Sequence, residues 1–237
     1  MELMLKNNQI YNDMFLQNKN NRTEYGNIES SFAYFQRFNI PKTSIILDIG
    51  TNIGSFPNKL FENGYNNIYG VDIAKSAIEF GKKKNINIAE RINIFDGKEI
   101  PFPNDCFDAV TMFDVIEHIP STEEFLLEVN RVLKKDGILI FQTPNKFINI
   151  PWETIISLSF KWRVWHCSLQ TFWSLKKLFK KSNFINVIIE KYNIDTEYNR
   201  NKIKKVMGNF GILLIKIFAI FPLFFYPNFW GWTQKLK

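Results

Sequence analysis

A short apolar run, IILDI at residues 45–49, leads into two glycines, Gly50 and Gly54. A glycine directly after a buried strand lets the chain turn sharply and lets a ligand approach the backbone. Gly54 is expected to open the next helix, where the first N–H groups favour anionic ligands. The spacing is therefore typical either of a nucleotide-binding turn or of an ordinary strand-to-helix turn.

The acidic residue Asp72 ends the second strand-like run, residues 67–72. A carboxylate at the end of this strand can accept hydrogen bonds from both hydroxyls of a ribose. The same side chain can instead cap the helix expected at residues 75–84. Both roles are open from the sequence.

These residues need a scaffold that brings them together. Apolar runs alternate with helical periodicity, which predicts strands at 45–49, 67–72, 91–95, 107–113 and 138–143 and helices at 54–62, 75–84 and 121–135. Such alternation favours a parallel sheet with helices on both faces. Ligands of such sheets bind beyond the carboxyl ends of the strands. Polar residues fall at or just after those ends, namely Asp48, Asp72, Asp96, Asp114 and Asn145.

Four segments resemble class I S-adenosylmethionine-dependent methyltransferases: residues 46–56, 70–72, 96–103 and 107–119. The similarity is greatest to the group that includes ubiquinone-biosynthesis and small-molecule O-methyltransferases. Its most specific part is DGKEIPFPNDCFDAVTMFDVIEHI at 96–119, and it covers about residues 40–192. The resemblance implies an α/β fold with a Rossmann-like, doubly wound, mainly parallel sheet. It also implies S-adenosyl-L-methionine as the cofactor and S-adenosyl-L-homocysteine as the product.

The resemblance also implies which residues hold the cofactor. Asp48 and Gly50 match positions beside its methionine end, Asp72 matches the residue that grips the ribose, and Asp96 matches the acidic residue near the adenine amino group. The full set implied is Asp48, Gly50, Asn52, Gly54, Asp72, Ile73, Asp96, Gly97, Phe113 and Asp114.

Asn52 departs from the pattern, because many relatives carry a glycine there. Asn is the non-glycine residue that best tolerates a left-handed backbone, so the turn is expected to survive. An NAD-binding turn is the near alternative. It expects Gly-x-Gly-x-x-Gly directly after the strand, and the second glycine of that motif would fall where Asn52 stands.

The implied reaction moves a methyl group to an O, N or C nucleophile, and a hydroxyl nucleophile needs a base. The chain has two histidines, His118 and His166, and both are candidate catalytic residues. His118 lies in the resembling motif, and His166 lies in a loop where related enzymes often carry a histidine. Structural roles are the alternative for each. No His, Asp and Cys spacing indicates a metal, so none is expected.

The most apolar segment, residues 212–230, is nearly long enough to span a bilayer. Lys216 and Pro222 interrupt it, and basic residues flank it on both sides. We expect a helix, a break and a second helix lying in the membrane surface, with Tyr226, Trp230 and Trp232 at the interface. A buried appendage and a true span are the alternatives. After a helix at 171–182 and a sixth strand at 184–192, no seventh strand is evident, unless 211–218 supplies it.

The resulting domain prediction has a helical lead-in at 1–40, the methyltransferase domain at 41–192 and an apolar, helical C-terminal segment at 193–237. Residues 145–170 are expected to be irregular and to cover the acceptor site, where Trp152 and Glu153 are candidate lining residues. Two cysteines without paired spacing fit a reduced cytoplasmic setting.

The net charge of +7 and pI of about 9.2 suit an anionic partner. Because the charge lies beside apolar segments, we expect a peripheral site on the inner membrane face rather than nucleic acid. The expected activity is methyl transfer, preferably to oxygen, on a small hydrophobic or lipid-linked acceptor. A catalytically silent, cofactor-binding scaffold at a membrane and a nucleic-acid methyltransferase are the alternatives.

Overall fold

The structure is a computed structural model that describes residues 9–13, 15–16, 27–157, 161–164 and 166–236. Parts of the predicted N-terminal lead-in and of the loop before His166 lie outside these residues. Seven strands form one sheet: β1 Ile45–Ile49, β2 Asn67–Asp72, β3 Ile92–Ile94, β4 Phe107–Phe113, β5 Leu133–Pro144, β6 Phe184–Glu190 and β7 Asn228–Lys235. Their order is β3-β2-β1-β4-β5-β7-β6. β7 runs antiparallel to both neighbours and the other pairs are parallel. The predicted Rossmann-like, mainly parallel sheet is confirmed.

Helices cover both faces of the sheet. The longer α-helices of the described residues are α1 Ile28–Gln36, α2 Ser55–Glu62, α3 Lys75–Lys84, α4 Thr122–Val132, α5 Lys146–Ser157, α6 Phe172–Lys181 and α7 Glu197–Ile220. One core cluster packs α4 and α6 against the sheet through side chains such as Val129 and Phe179. The other packs α1, α2 and α3 on the opposite face through side chains such as Phe35 and Leu60.

Strand β5 shows how the sequence sorts residues between these faces. Leu139 and Phe141 belong to the cluster beneath α4 and α6. Ile138 and Ile140 belong to the cluster beneath α1, α2 and α3. Successive side chains of a strand point to opposite faces, so a strand covered on both faces is apolar throughout.

The N-terminal lead-in rests on α3. Residues 9–13 are helical, and the Asn12 Oδ1 atom accepts hydrogen bonds from Ser76 N at 2.9 Å and Ser76 Oγ at 2.8 Å. Phe15 is buried, and its ring lies 5.7 Å from that of Phe80. These contacts hold the lead-in beside the carboxyl end of β2.

The boundary predicted at residue 192 is wrong, because the sheet takes its seventh strand from residues 228–235. Residues 211–218, the alternative source of that strand, are helical instead. β7 is inserted between β5 and β6, and Gly231 permits the fit: a Cβ there would lie 2.5 Å from Phe141 Cζ. The strand was hidden because its first residues, 228–230, form the end of the apolar segment.

The aromatic residues predicted to lie at a membrane interface are instead part of the folded domain. Trp230 is buried, with its ring 4.9 Å from the ring of Tyr34. Tyr226 is buried as well, and its hydroxyl donates to the Tyr192 carbonyl. Trp232 packs against Phe38. The predicted second helix of this segment is therefore wrong beyond Pro222, where a short 3-10 turn leads into β7.

The prediction of an irregular segment at 145–170 is also wrong in part. Residues 146–157 form α5, with Pro151 inside the helix. Asn145 helps to start this helix, because its Oδ1 atom accepts a hydrogen bond from Phe147 N at 3.1 Å. Apolar side chains recur at helical spacing and outweigh the proline.

Helix α7 changes direction at Gly208, whose φ of 58° and ψ of −146° are not helical. Within the part of the chain that the structure describes, no helix has the length and apolar character needed to cross a bilayer.

Candidate active site

The turn after β1 has the geometry that its residue types require. Gly50, Asn52 and Gly54 have φ angles of 73°, 52° and 77°, in the left-handed region that favours glycine and asparagine. The N–H groups of Gly50 and Thr51 donate to the carbonyl of Val71. A Cβ on Gly50 would lie only 2.4 Å from Val115 Cγ2. Gly50 is therefore required by its positive φ and by the close packing of Val115, and the predicted approach of a ligand to its backbone stays a prediction.

Asp72 has the capping role that the sequence left open, and its ribose role stays a prediction. Its Oδ2 atom accepts a 2.7 Å hydrogen bond from Asn52 N, and its Oδ1 atom accepts a 2.8 Å bond from Ala74 N, before α3 begins. A carboxylate offers about four acceptor positions, so two remain for ribose hydroxyls. Burial raises the pKa of Asp72 above its usual value, and the backbone N–H groups of Ala74, Asn52 and Ile73 oppose that effect.

Asp48 is buried where β1 lies beside β4. Its Oδ1 atom accepts a 2.6 Å hydrogen bond from Thr111 Oγ1, its register partner on β4. Burial raises the pKa of Asp48 to about 7, and the hydroxyl of Thr111 opposes that rise. A carboxyl group with this pKa can gain a negative charge when a cationic group, such as the ammonium of an amino acid, arrives.

The turn after β3 brings Asp96 and Gly97 next to the turn after β2. Asp96 is exposed, and its Oδ1 atom accepts hydrogen bonds from Lys98 N and Glu99 N. A Cβ on Gly97 would lie 3.2 Å from Ile73 Cγ2. Two predicted cofactor residues, Ile73 and Gly97, therefore pack closely against each other.

The last two predicted cofactor residues close β4. Asp114 is exposed and has a φ of 55°, and its N–H donates to the carbonyl of Gln142. The side chain of Phe113 packs into the α1–α3 core, with its ring 5.1 Å from that of Phe56. Phe113 therefore has a packing role, whether or not its backbone also contacts the cofactor.

The residues at this edge fit S-adenosyl-L-methionine. The buried Oδ1 atom of Asn52 has no hydrogen-bond partner among the described residues, so the turn keeps an acceptor for a ligand N–H or O–H. Asp48 and Asp72 offer carboxylates that suit an ammonium and a ribose. The roles assigned to individual residues remain predictions.

A cavity of about 260 Å³ opens next to this edge. Asp114 lines it and thereby joins it to the predicted cofactor site. The other polar and aromatic residues that line it include Asn27, Ser31, Glu117, His118, Gln142, Asn149, Glu153, His166, Tyr192, Asn193, Tyr198, Asn199, Tyr226, Asn228 and Trp230. Glu153 lies here as predicted. The lining is more polar than the apolar sequence around residue 150 suggests.

Both predicted catalytic histidines lie in this cavity, and their ring centroids are 5.0 Å apart. Glu117 joins them: its Oε1 atom lies 3.7 Å from His118 Nε2, and one ligand atom from each of the three residues falls within 4.8 Å of the others. Such a group can move a proton, and its atom types can also hold a metal ion. The absence of a metal stays a prediction.

Glu117 is the functional candidate that the sequence motif contained but that the prediction left out. It is buried, and its Oε2 atom accepts a 2.9 Å hydrogen bond from Thr143 Oγ1. Its backbone carbonyl accepts a bond from Ser168 N, which holds the loop of His166 against the end of β4. Burial, reinforced by the charge of Asp114, raises the pKa of Glu117 well above its usual value.

Tyr11 is a second residue that sequence reasoning missed. Its ring contacts the ring of His118 edge-on, with centroids 5.6 Å apart. Its buried hydroxyl has no hydrogen-bond partner within the described residues. Burial, reinforced by the charge of Glu117, raises the pKa of Tyr11, so the hydroxyl stays protonated. Nothing in the sequence marks this tyrosine, because only tertiary packing brings the lead-in to the site.

Comparisons with known proteins agree with this geometry. Residues 47–141 match a family model described as a methyltransferase domain. The chain is 24% identical to a demethylmenaquinone methyltransferase of Lactobacillus johnsonii over 199 residues, which cover 73% of this chain and 81% of that protein. It is 35% identical to a ubiquinone/menaquinone biosynthesis C-methyltransferase of Geotalea uraniireducens over 109 residues, or 42% of this chain and 46% of that protein.

Other matches cover less of the relative or show the fold alone. An uncharacterized protein of Methanocaldococcus jannaschii is 34% identical over 119 residues, so the match spans 49% of this chain and 43% of that protein. Phosphoethanolamine N-methyltransferase 2 of Haemonchus contortus, solved with S-adenosyl-L-methionine, aligns with a TM-score of 0.65 at 19% identity. That alignment covers 92% of this chain and 55% of the other.

The fold is the Rossmann-like fold of class I methyltransferase structures, and residues 47–141 match a methyltransferase domain. With the family match, the chain is identified as carrying a class I S-adenosylmethionine-dependent methyltransferase domain.

Proposed function

We propose that this protein transfers a methyl group to a hydroxyl on the polar head of a lipid-linked acceptor. The observation that carries the proposal is the polar cavity beside the predicted cofactor edge, with Glu117, His118 and His166 grouped inside it. The clustered imidazoles favour oxygen as the nucleophile, because a hydroxyl must lose a proton during transfer.

The chain's own residues supply orientation and a proton acceptor. When bound, S-adenosyl-L-methionine supplies an activated methyl group. Tyr11 and Glu117 offer hydrogen-bonding groups that can orient an acceptor hydroxyl, and His166 or His118 takes the hydroxyl proton as the new bond forms. Fixing the reacting groups in this way is the main contribution a protein can make to a reaction whose donor is already activated.

Two features support a lipid-linked acceptor over a wholly apolar one. The cavity is lined by amide, hydroxyl, carboxyl and imidazole groups, which suit a polar head. An exposed apolar surface that includes Phe224 and Phe225 directly precedes Tyr226, one of the lining residues. The relatives named for menaquinone and ubiquinone biosynthesis are consistent with an acceptor of this kind.

The test follows a labelled methyl group. Wild-type protein is incubated with methyl-labelled S-adenosyl-L-methionine and an extract of the cells that make it. The extract is then divided into organic and aqueous phases. We expect label in the organic phase, and head-group hydrolysis should release it as a water-soluble methoxy compound.

Matched variants separate chemistry from contamination. Glu117→Gln is expected to lower the labelling rate, whereas Glu124→Gln, on the exposed first turn of α4, should leave it unchanged. Label confined to the apolar fragment would contradict a polar head. A wild-type protein that binds the cofactor but labels nothing would support the scaffold alternative.

A further inference from the structure

We propose that the second half of α7 and the turn after it form a docking face for an anionic bilayer. The face consists of Phe210, Leu213, Ile217, Ile220, Phe224 and Phe225, all exposed. It goes beyond the proposed reaction, because binding to a bilayer needs neither the cofactor nor turnover.

The helical part of this face points away from the protein. Its four members are spaced by three, four and three residues, which places them on one side of a helix. Gly211 and Ile215, on the other side, are buried. The outer side of a surface helix is normally polar, whereas here it is apolar, and Ile220 is 82% exposed. An extended apolar surface of this kind marks an interaction site.

An aromatic pair extends the face beyond the helix. The 3-10 turn at Leu223–Phe225 presents Phe224, whose ring stacks on that of Trp173 at 5.0 Å with an interplanar angle of 6°. Trp173 lies on α6 and is 57% exposed. An exposed tryptophan beside phenylalanines is typical of side chains that enter the bilayer interface.

The charge around the face selects an anionic bilayer as the partner. Residues 198–237 hold seven Lys and Arg and no Asp or Glu. Lys204, Lys205 and Lys216 are exposed. Basic residues near an anionic bilayer add to its attraction for the protein. The same charges would oppose each other if two copies of the chain paired through this face.

The position of the face connects it to the cavity. Tyr226 follows Phe225 directly and lines the cavity. Tyr192 and Ile194 line it too, and both also line a surface groove with Lys191 and Ala219 at the end of α7. A molecule held in a bilayer could therefore reach the cavity along the protein surface. This last step rests on the proposed function, whereas docking itself does not.

Flotation with lipid vesicles tests the docking face. Vesicles of phosphatidylcholine with about one third phosphatidylglycerol are compared with phosphatidylcholine alone, without cofactor, at low and high salt. Wild-type protein is expected to float with the anionic vesicles and to be released by salt. Ile220→Glu should weaken binding at least about tenfold, because it adds a negative charge at the face.

Ile86→Glu is the matched control. Ile86 is 79% exposed and lies just before β3, the strand at the edge of the sheet opposite β6. It should bind like wild type, and Leu213→Glu should bind like Ile220→Glu. Failure of wild-type protein to bind, or equal loss in Ile86→Glu, would overturn the proposal. A wild-type dimer that Ile220→Glu dissociates, without vesicle binding, would assign the face to a second copy instead. Neither result would affect cofactor binding, so this proposal and the proposed function fail separately.

Discussion

His118 and His166 lie ring to ring at 5.0 Å, although one follows β4 and the other precedes α6. Ser168 N donates to the Glu117 carbonyl and so fixes the second histidine's loop beside the first. The pair is therefore built into the fold, and both histidines line the cavity beside the predicted cofactor edge.

Replacing His166 by Ala or Glu117 by Gln should slow methyl transfer without weakening the binding of the cofactor. We expect His166→Ala to lower kcat about 100-fold, because a positioned proton acceptor contributes roughly that factor, and Glu117→Gln to lower it less, because Glu117 orients the acceptor. Cofactor affinity should change less than about twofold. Single-turnover rates and calorimetry measure the two effects. A chelator should leave the wild-type rate unchanged. If the chelator abolished methyl transfer and added zinc restored it, that result would contradict a proton-transfer role.

Tyr11→Phe removes only a hydroxyl that makes no hydrogen bond within the described residues. We expect the KM for the acceptor to rise about tenfold, the loss of one hydrogen bond, while thermal stability stays unchanged. Tyr34→Phe is the control, since the Tyr34 hydroxyl donates to Glu190 at 2.8 Å. That variant should lose about 1 kcal/mol of stability and keep its KM. The opposite pattern would assign Tyr11 a structural role.

Gly50→Ala is expected to disrupt the cofactor turn, and Gly64→Ala is its matched control. Both glycines have positive φ angles, of 73° and 86°, so each substitution carries about 1 kcal/mol of backbone strain. Only at Gly50 would the new Cβ also clash, with Val115, because nothing lies within 4 Å at Gly64. Cofactor affinity should therefore fall in Gly50→Ala alone. Equal affinities in a titration of both variants would contradict this account.

The buried Asp48 should make the ligand-free protein more stable at mildly acidic pH. Its pKa of about 7 lies above the usual 3.8, so between these values the folded state holds more protons than the unfolded state. The free energy of unfolding therefore falls as pH rises through this range, by up to about 4 kcal/mol. Urea unfolding at about pH 5 and pH 7.5 measures the slope.

Asp48→Asn tests the origin of that slope. The variant should be less dependent on pH, because it cannot lose a proton. Asp72 and Glu117 retain slopes of the same sign, since burial raises both pKa values. A wild-type protein whose stability rises between these two pH values would contradict the assignment.

The first five strands and the turn after β1 could be predicted from the sequence because their signals are local. Apolar runs bounded by Asp-Gly and Asn-Gly steps gave the strands to within a few residues, except that β5 begins earlier than expected. Asn52 has the left-handed backbone predicted from its residue type. These features depend on neighbours in the chain rather than on distant contacts.

β7 could not be predicted in the same way, because a distant pairing defines it. Phe141 and Gly231 are register partners, and the sequence near residue 231 does not indicate that it pairs with Phe141. The consequence is experimental: deleting residues 206–237 would remove a strand from within the sheet. Such a truncation would unfold the domain rather than test membrane binding, so point variants on the docking face are needed.

The acceptor side was predicted only in part. Both histidines lie in sequence segments that the resemblance to class I methyltransferases singles out. The structure brings them into one cavity. Tyr11 contacts His118, one of the lining residues, only because Phe15 and the Asn12–Ser76 hydrogen bonds hold the lead-in there. No spacing rule connects a residue near the N-terminus with the end of β4.

The central claim is that the carboxyl edge of this sheet binds S-adenosyl-L-methionine through Asp72. Calorimetry with the cofactor and with S-adenosyl-L-homocysteine tests it directly. Asp108→Asn is the matched control, because Asp108 also accepts a backbone N–H, that of Ile45, but at the amino end of β4. We predict that wild type and Asp108→Asn bind both ligands, and that Asp72→Ala binds them at least about tenfold more weakly, the loss of two hydrogen bonds. Absence of binding by the wild type, or equal binding by Asp72→Ala, would contradict the claim.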